Sequence, residues 1–541
     1  MPTVDTLQAG LDFQYYLYCG SSVFLMQLGF AMLEVGTVRR KNSKNILIKN
    51  FMDACIGAIV WWACGYLIAF GSNTNRNEFA GSSNLATGES VFTPVRYQFW
   101  FFQFAFAATA ASITSGAVAE RCNMGVYFMY VVVLVGLVYP VVVHWCWSSD
   151  GWLSNFAGSE ADDDEGYNAA RTWSSVGVID FAGSGVVHLT GGVSGFVGAY
   201  LVKPRTGRFT YDGEVVTKGF SPQSSTIQSL GTFILWFGWY AFNCGSTLGL
   251  WAGAEVVAAR VAVTTTLSAA SCALASFTYA YIKSDMTEYN LPSVMNGILG
   301  GLVSITAGCA TVEPWAACVI GIIGAFVYHG CSQLMLKLNI DDVVDAVAVH
   351  GACGMWGVIA ASIFSQGDLI CEYSAALCEG SEGYRSTVEG IIYGGDGKLL
   401  GVALLQIISI VAWVGSTMTV TFLVADAFGM LRVTEKEEEW GMDSSHHGGM
   451  DDEAENSLGI DDLIKMKEDG RKLDKVALLA MCIVQNVAPL PMLAKFDQAC
   501  KGGALTISNV SEYESLIEAV GGRTHKIALM DIEMAIAAGV E

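Results

Sequence analysis

Asp180-Phe-Ala-Gly-Ser-Gly-Val-Val-His188-Leu-Thr-Gly-Gly192 and Asp342-Val-Val-Asp-Ala-Val-Ala-Val-His350-Gly-Ala-Cys-Gly354 share one spacing: an aspartate, a histidine eight residues on, and a glycine four beyond it. Apart from Asp345, the intervening residues are apolar or small, so both stretches read as helices buried among other helices. Counting apolar runs along the chain puts each stretch on the last helix of a five-helix block. Blocks with an odd number of spans insert in opposite directions, which predicts an inverted repeat with its functional site near the midplane between the halves.

Composition agrees with this reading. Of 541 residues, 52% are hydrophobic and 15% charged, and the mean hydropathy is +0.44. Such a chain faces lipid over most of its length. The formal charge of −22 is concentrated in loops and in the region after Arg432, a pattern that argues against nucleic acid as a partner. Glycines such as Gly192, Gly195, Gly198, Gly297, Gly300 and Gly301 lie inside apolar runs, where small residues let helices approach closely. Most of the 15 cysteines are in those runs and read as small hydrophobes. Cys371 and Cys378 differ, because their polar loop would permit a disulfide if it is extracellular. Asp5 and Asp12 with no basic region argue against a cleavable signal peptide.

The runs are long enough for about eleven spans, near 13–36, 51–71, 97–119, 126–148, 176–202, 227–246, 255–282, 291–310, 314–336, 343–365 and 399–430. Arg39, Arg40, Lys41, Lys44 and Lys49 follow the first span, Arg121 the third, and Lys203, Arg205, Arg208 and Lys218 the fifth. These loops are cytosolic by the positive-inside bias, while Asp162, Asp163, Asp164, Glu165, Glu379 and Glu382 mark the opposite face. The fold class is therefore an all-α polytopic membrane protein with a five-plus-five inverted repeat, its N-terminus outside and its C-terminus cytosolic. The expected divisions are 1–432 for the membrane domain, 433–458 for a cytosolic segment, and 459–541 for a small soluble extension with strand-like runs at 476–484 and 504–507.

An ionisable side chain inside a bilayer is costly unless paired or hydrated, so each one is a functional candidate. His188 and His350 occupy equivalent places in the two halves and so lie close together at the pseudo-symmetry axis. Neutral imidazoles exchange hydrogen bonds with a small polar solute within an apolar wall. Packing is the competing explanation for this pair, and the leading one for His144 and His329. With no third ligand nearby, a metal site is disfavoured, and no cofactor is expected. Asp180 suits a helix cap and adds a negative field. Aromatics group around polar residues, as Phe102 with Phe106, Trp145 with Trp147, and Trp236, Trp239 and Phe242, the last followed by Asn243 and Ser246; aromatic faces attract a compact cation and a hydroxyl accepts one of its hydrogen bonds. Anchoring at the membrane interface is the alternative for such aromatics.

At these residues the sequence resembles the ammonium transporter (Amt/Mep/Rh) family over roughly residues 13–449, and within it the plant and algal branch. The resemblance is carried by Asp180 to Gly192 continuing through Lys203-Pro204-Arg205, by Gly116-Ala-Val-Ala-Glu120-Arg121, by Phe242-Asn-Cys-Gly-Ser246, and by Asp345-Ala-Val-Ala-Val-His350-Gly-Ala-Cys-Gly354. It implies a homotrimer of non-enzymatic transporters, each protomer with its own pore, in lipid, at the plasma membrane. It further implies that Trp147, Ser246 and Phe106 recruit ammonium with support from Asp180. Phe106 and Phe242 would close the entrance, Trp239 would line the path, and His188 and His350 would be the paired pore histidines.

Residues 437–449 resemble the start of the plant-type regulatory tail, which packs on a neighbouring protomer. Ser445, with Ser444 beside it, falls where that branch often carries a phosphorylatable threonine, which implies a kinase or signalling partner; a solvated acidic linker is the plainer alternative. Lys526 to Met534 is faintly similar to the third strand of a receiver domain, with Asp531 at the phospho-acceptor place, although the acidic pair expected near Ile483 is missing. That remnant keeps an ammonium sensor as the rival function. A channel for a neutral solute is the more distant one.

Overall fold

The computed structural model describes residues 4–71, 77–81, 97–155, 177–251, 253–373 and 389–448. Helices occupy all eleven expected spans. They are α1 (Leu7–Thr37), α2 (Arg40–Phe70), α3 (Tyr97–Ala117), α4 (Met124–Trp147), α5 (Ser184–Val202), α6 (Ser225–Gly245), α7 (Ala254–Lys283), α8 (Leu291–Thr306), α9 (Pro314–Lys337), α10 (Val347–Phe364) and α11 (Lys398–Ala427). The described residues contain no β-strand. One compact unit runs from Met1 to Ser445.

Burial separates the helices by role. The most apolar stretches of α5 and α10 are 78% buried, whereas those of α7, α9 and α11 are 39% buried and that of α2 33%. The two histidine helices are therefore the core, and the others present apolar side chains to lipid. α3 carries Gln103, Thr109, Ser112, Thr114 and Ser115, all buried. A helix enclosed by protein tolerates such hydroxyls and amides because neighbouring helices, not lipid, satisfy them.

α5 and α10 pack antiparallel, the start of each against the later turns of the other. Their halves match well beyond the three residues of the sequence pattern. Ser184–Leu189 and Val347–Ala352, which contain His188 and His350, are both π-helical, a widened turn that occurs most often at functional sites. Gly183 has φ 100° and Asp345 has φ 58°; each stands three residues after its aspartate, so both helices begin from a left-handed turn. Asp180 Oδ2 accepts hydrogen bonds from Gly185 N at 3.0 Å and Val186 N at 2.8 Å. Asp342 Oδ2 accepts one from Val347 N at 2.7 Å. Both aspartates thus satisfy orphan donors at helix starts.

The matched glycines explain the closeness of the helices. A Cβ on Gly354 would stand 2.6 Å from the Ser184 carbonyl oxygen, and one on Gly192 would meet the backbone of Gly351.

Some expectations need correction. Lys44 and Lys49 are not in a loop, because α2 begins at Arg40; they ride its first turns, and Lys49 is only 1% exposed. A hydropathy reading stops at these polar residues, since it does not know that they face protein. Cys371 is disulfide-bonded, while its expected partner Cys378 lies outside the described residues. The acidic loops at 162–165 and 379–382 and the extension at 459–541, Asp531 included, also lie outside them.

Overpacking a core contact costs about 1–3 kcal/mol. Gly354→Val is accordingly expected to lower the melting temperature of the detergent-solubilised protein by several degrees. Thermal-shift size-exclusion chromatography would measure this, and an unchanged melting profile would contradict the proposed close contact.

Candidate functional site

A column of aromatic rings leads to the histidine pair. Trp147 meets Phe106 edge-on at 6.0 Å between centroids. Phe106 stacks on Phe242 at 4.0 Å and 23°, and both rings are buried. Beyond them His188 lies 5.5 Å from Phe242 and 4.9 Å from Trp239, nearly parallel to the latter. His350 follows at 5.2 Å from His188, and Phe30 at 6.2 Å from His350.

The Nδ1 atoms of His188 and His350 are 3.2 Å apart. That distance is a hydrogen bond only if one ring donates and the other accepts. The ring that donates from Nδ1 then has an accepting Nε2, and its partner a donating one, so a single shared proton fixes complementary tautomers along the path. His188 Nε2 is buried without a hydrogen-bond partner. A buried polar atom of this kind costs free energy unless a polar guest meets it.

The supports come from several helices. Trp147 Nε1 donates to the Asp180 carbonyl at 2.9 Å, and Trp239 Nε1 to Thr306 Oγ1 at 2.9 Å. Ser246, at the end of α6, donates to the Phe242 carbonyl at 2.9 Å. The Asp180 carboxylate is directed at the start of α5 and at Gln406 Nε2, 2.8 Å away. It therefore acts on the column through its backbone and through the helix that carries His188.

Over residues 14–452 the chain matches the family model described as Ammonium Transporter Family. The chain belongs to the ammonium transporter family. It is 41% identical to the putative ammonium transporter 1 member 5 of Arabidopsis thaliana over 441 residues, covering 79% of this chain and 83% of that protein. It is 41% identical to ammonium transporter 1 member 3 of Oryza sativa subsp. japonica over 456 residues, covering 82% and 86%. Among solved structures, one titled Sensor Amt Protein superposes with a TM-score of 0.69 at 30% identity, over 82% of this chain and all of that one. Saccharomyces cerevisiae Mep2 superposes with a TM-score of 0.64 at 25% identity, over 78% and 87%.

In this ammonium transporter the remaining histidines of the spans have other partners. His144 sits between the Ala69 and Asn77 carbonyls, at 2.9 and 2.7 Å, and a neutral ring donates to one of them. His329 is wedged between Tyr279 and Tyr328 at 4.3 and 4.6 Å. Read from sequence alone, Gln406 and Thr306 go unnoticed, as do the charged residues Glu34 and Asp53, and Lys49 passes for a loop residue. For the last three the signal was present, because each is an ionisable group in or beside an apolar run.

An ionic cluster ties the cytosolic loops together. Arg205 bridges Glu120 at 2.7 Å and Asp341 at 2.7 Å, and Arg39 joins Glu120 at 2.5 Å. Burial pushes the Glu120 carboxyl up, but Arg205 and Arg39 outweigh it and hold it below its ordinary value. Asp341 is likewise pushed up by burial and held well down by Arg205 and Arg121.

The tail docks beside this cluster, on loops of the same chain. Glu438 accepts from Thr206 N at 2.7 Å and from Arg432 at 2.7 Å, and Lys41 donates to the Glu438 carbonyl at 2.8 Å. Two short helices, α12 (Glu435–Trp440) and α13 (Met442–His446), carry these contacts. Asp443 accepts from Lys44 N and Asn45 N, both at 2.9 Å, and so caps α2 from the far end of the chain. Ser444 is exposed, whereas Ser445 is half-buried with its hydroxyl on the Gly441 carbonyl at 2.9 Å.

Both carboxylates of the cluster are depressed, so their stabilisation is full above the unfolded values near pH ~4 and is lost as pH falls through the lower folded ones. Arg205→Ala leaves two buried carboxylates short of a partner, an expected loss of about 3–5 kcal/mol at neutral pH. Denaturation of the purified variant at stepped pH should show that gap shrinking in acid; a gap independent of pH would contradict the pairing.

Proposed function

We propose that this transporter recruits ammonium at an outer vestibule formed by Trp147, Ser246 and Phe106, deprotonates it at the Phe106–Phe242 gate, and conducts ammonia past His188 and His350. Membership in the family carries the coarser statement, transport of ammonium across a membrane. The observation behind the finer one is the pair of buried imidazoles with their Nδ1 atoms 3.2 Å apart in a wall of Trp239, Phe242 and Phe30.

The chemistry follows from selectivity. Potassium and ammonium have similar size and charge, so a vestibule of aromatic faces and a hydroxyl attracts both. An apolar constriction then penalises any bare ion by several kcal/mol. Ammonium alone escapes this by leaving a proton behind and crossing as a neutral molecule. Complementary histidine tautomers give that molecule one acceptor and one donor along the apolar passage, and they offer a carrier for the proton. Asp180 supports the gate through the carbonyl that holds Trp147 and adds negative field at the vestibule.

A homotrimer in the plasma membrane fits the family context. The docked tail is the regulatory element of this reading. Phosphorylation of Ser445 or Ser444 by a kinase would add about −1.5 to −2 charge beside Asp443 and Glu438 and loosen the cap on α2. A sensor function is the second reading, favoured by the likeness to the structure titled Sensor Amt Protein; uptake of labelled methylammonium by cells lacking their own transporters separates it from conduction.

Proteoliposomes bearing His188→Ala or His350→Ala are expected to lose discrimination between ammonium and potassium by about tenfold or more, the ratio that a difference near 1.4 kcal/mol produces. Unchanged selectivity in both variants would sink the mechanism. For the tail, Ser445→Asp should transport several-fold less than Ser445→Ala in the same cells, and equal rates would remove the switch.

A further inference from the structure

A small cavity of about 10 Å³ borders His350, lined by Glu34 and Ser112 among apolar residues that include Phe30, Val344 and Ala346. That is the room of about one water. Val344 and Ala346 precede α10 and Glu34 is near the end of α1, so the cavity lies on the cytosolic side of the histidine pair.

Glu34 is 1% exposed and belongs to a buried polar network running away from the pore. One carboxylate oxygen accepts from Ser115 Oγ, the other from Asn50 Nδ2 at 2.7 Å. Beside Asn50 on α2, Lys49 Nζ donates to the Cys122 carbonyl at 3.0 Å, in the loop that joins α3 to α4. Its ammonium also stands 5.0 Å from the centre of the Tyr127 ring. One turn further along α2, Asp53 accepts from Tyr127 OH at 2.7 Å. Asp53 Oδ1 and Asn50 Oδ1 are buried and unpartnered, and Arg121 holds only backbone carbonyls, those of Ala117, Ala119, Lys203 and Asp341. The cluster thus contains two carboxylates and one lysine. Lys49 donates to the Cys122 carbonyl and not to either carboxylate, so Glu34 and Asp53 rest on neutral donors, an arrangement that admits a proton exchanged with a neighbouring water.

We propose that Glu34 is the proton-relay residue on the cytosolic side of the pore. The proton that ammonium leaves at the gate passes along His188 and His350, and the Glu34 carboxylate takes it from a His350 ring nitrogen through one water in the cavity. It leaves by the Lys49–Asp53 cluster toward the cytosolic loop at Cys122, while ammonia continues down the pore. One ammonium lost outside gives one ammonia and one proton inside, so each turnover moves one positive charge. This rests on the deprotonation reading given above.

The test is reconstitution of the wild type, Glu34→Gln and Glu34→Asp, with ammonium-evoked current and ammonia entry measured on the same vesicles. Glu34→Gln is expected to lose at least tenfold in current while ammonia entry stays within twofold, and Glu34→Asp should keep most of the current. Equal currents in Glu34→Gln and wild type would overturn the relay. So would current and entry falling together in a variant that still elutes as folded protein, which is the mark of a structural residue. A wild type that admits ammonia without current also overturns the relay but leaves ammonia conduction standing, whereas no entry at all would refute the transport mechanism itself.

Discussion

Two imidazoles held 3.2 Å apart inside an apolar wall set the terms for the rest of the molecule. A bilayer interior offers no water to satisfy them, so each must meet the other, and the protein must bring two separate helices close enough to allow it. Gly192 and Gly354 remove side chains at the crossing, and the π-turns widen each helix where its histidine projects. Asp180 and Asp342 each anchor a helix start by accepting from the backbone N–H five residues on. Inverted repetition supplies all of this twice with one local design, which is why the histidines meet near the axis of the repeat.

Around that core, the other helices divide between holding it and facing lipid. α3 brings Phe106 onto Phe242 and small hydroxyl residues to the interior, while α7, α9 and α11 present apolar surface outward. The cytosolic loops are bound by charge: Arg205 joins Glu120 and Asp341, Arg432 holds Glu438, and Asp443 caps α2. That last contact makes the tail a part of the same compact unit. It also places a tail residue at the start of the helix that carries Lys49, Asn50 and Asp53.

Much of this was legible in the sequence because lipid makes hydropathy informative. All eleven spans, the pairing of His188 with His350 and the capping by Asp180 follow from apolar runs and spacing, and the nearness of Phe106 to Phe242 from the family resemblance. What escaped has a common cause. Lys49 was read as loop because a lone sequence does not distinguish a polar residue facing water from one facing protein. Gln406 reaches Asp180 across 226 positions, and no local pattern records such a distance. The widened turns at both histidines leave no mark in composition.

Selectivity by deprotonation is the claim on which the rest stands, and it is tested most directly with the unmodified protein in vesicles. Labelled methylammonium entry and potassium current would be recorded together while potassium is raised to a large excess. No potassium current at any concentration, while methylammonium still enters however far potassium competes for the vestibule, is the outcome that a pore passable only to the neutral molecule requires. A potassium current that rises as methylammonium entry falls would mean that the ion itself passes the histidines, and the mechanism would be wrong.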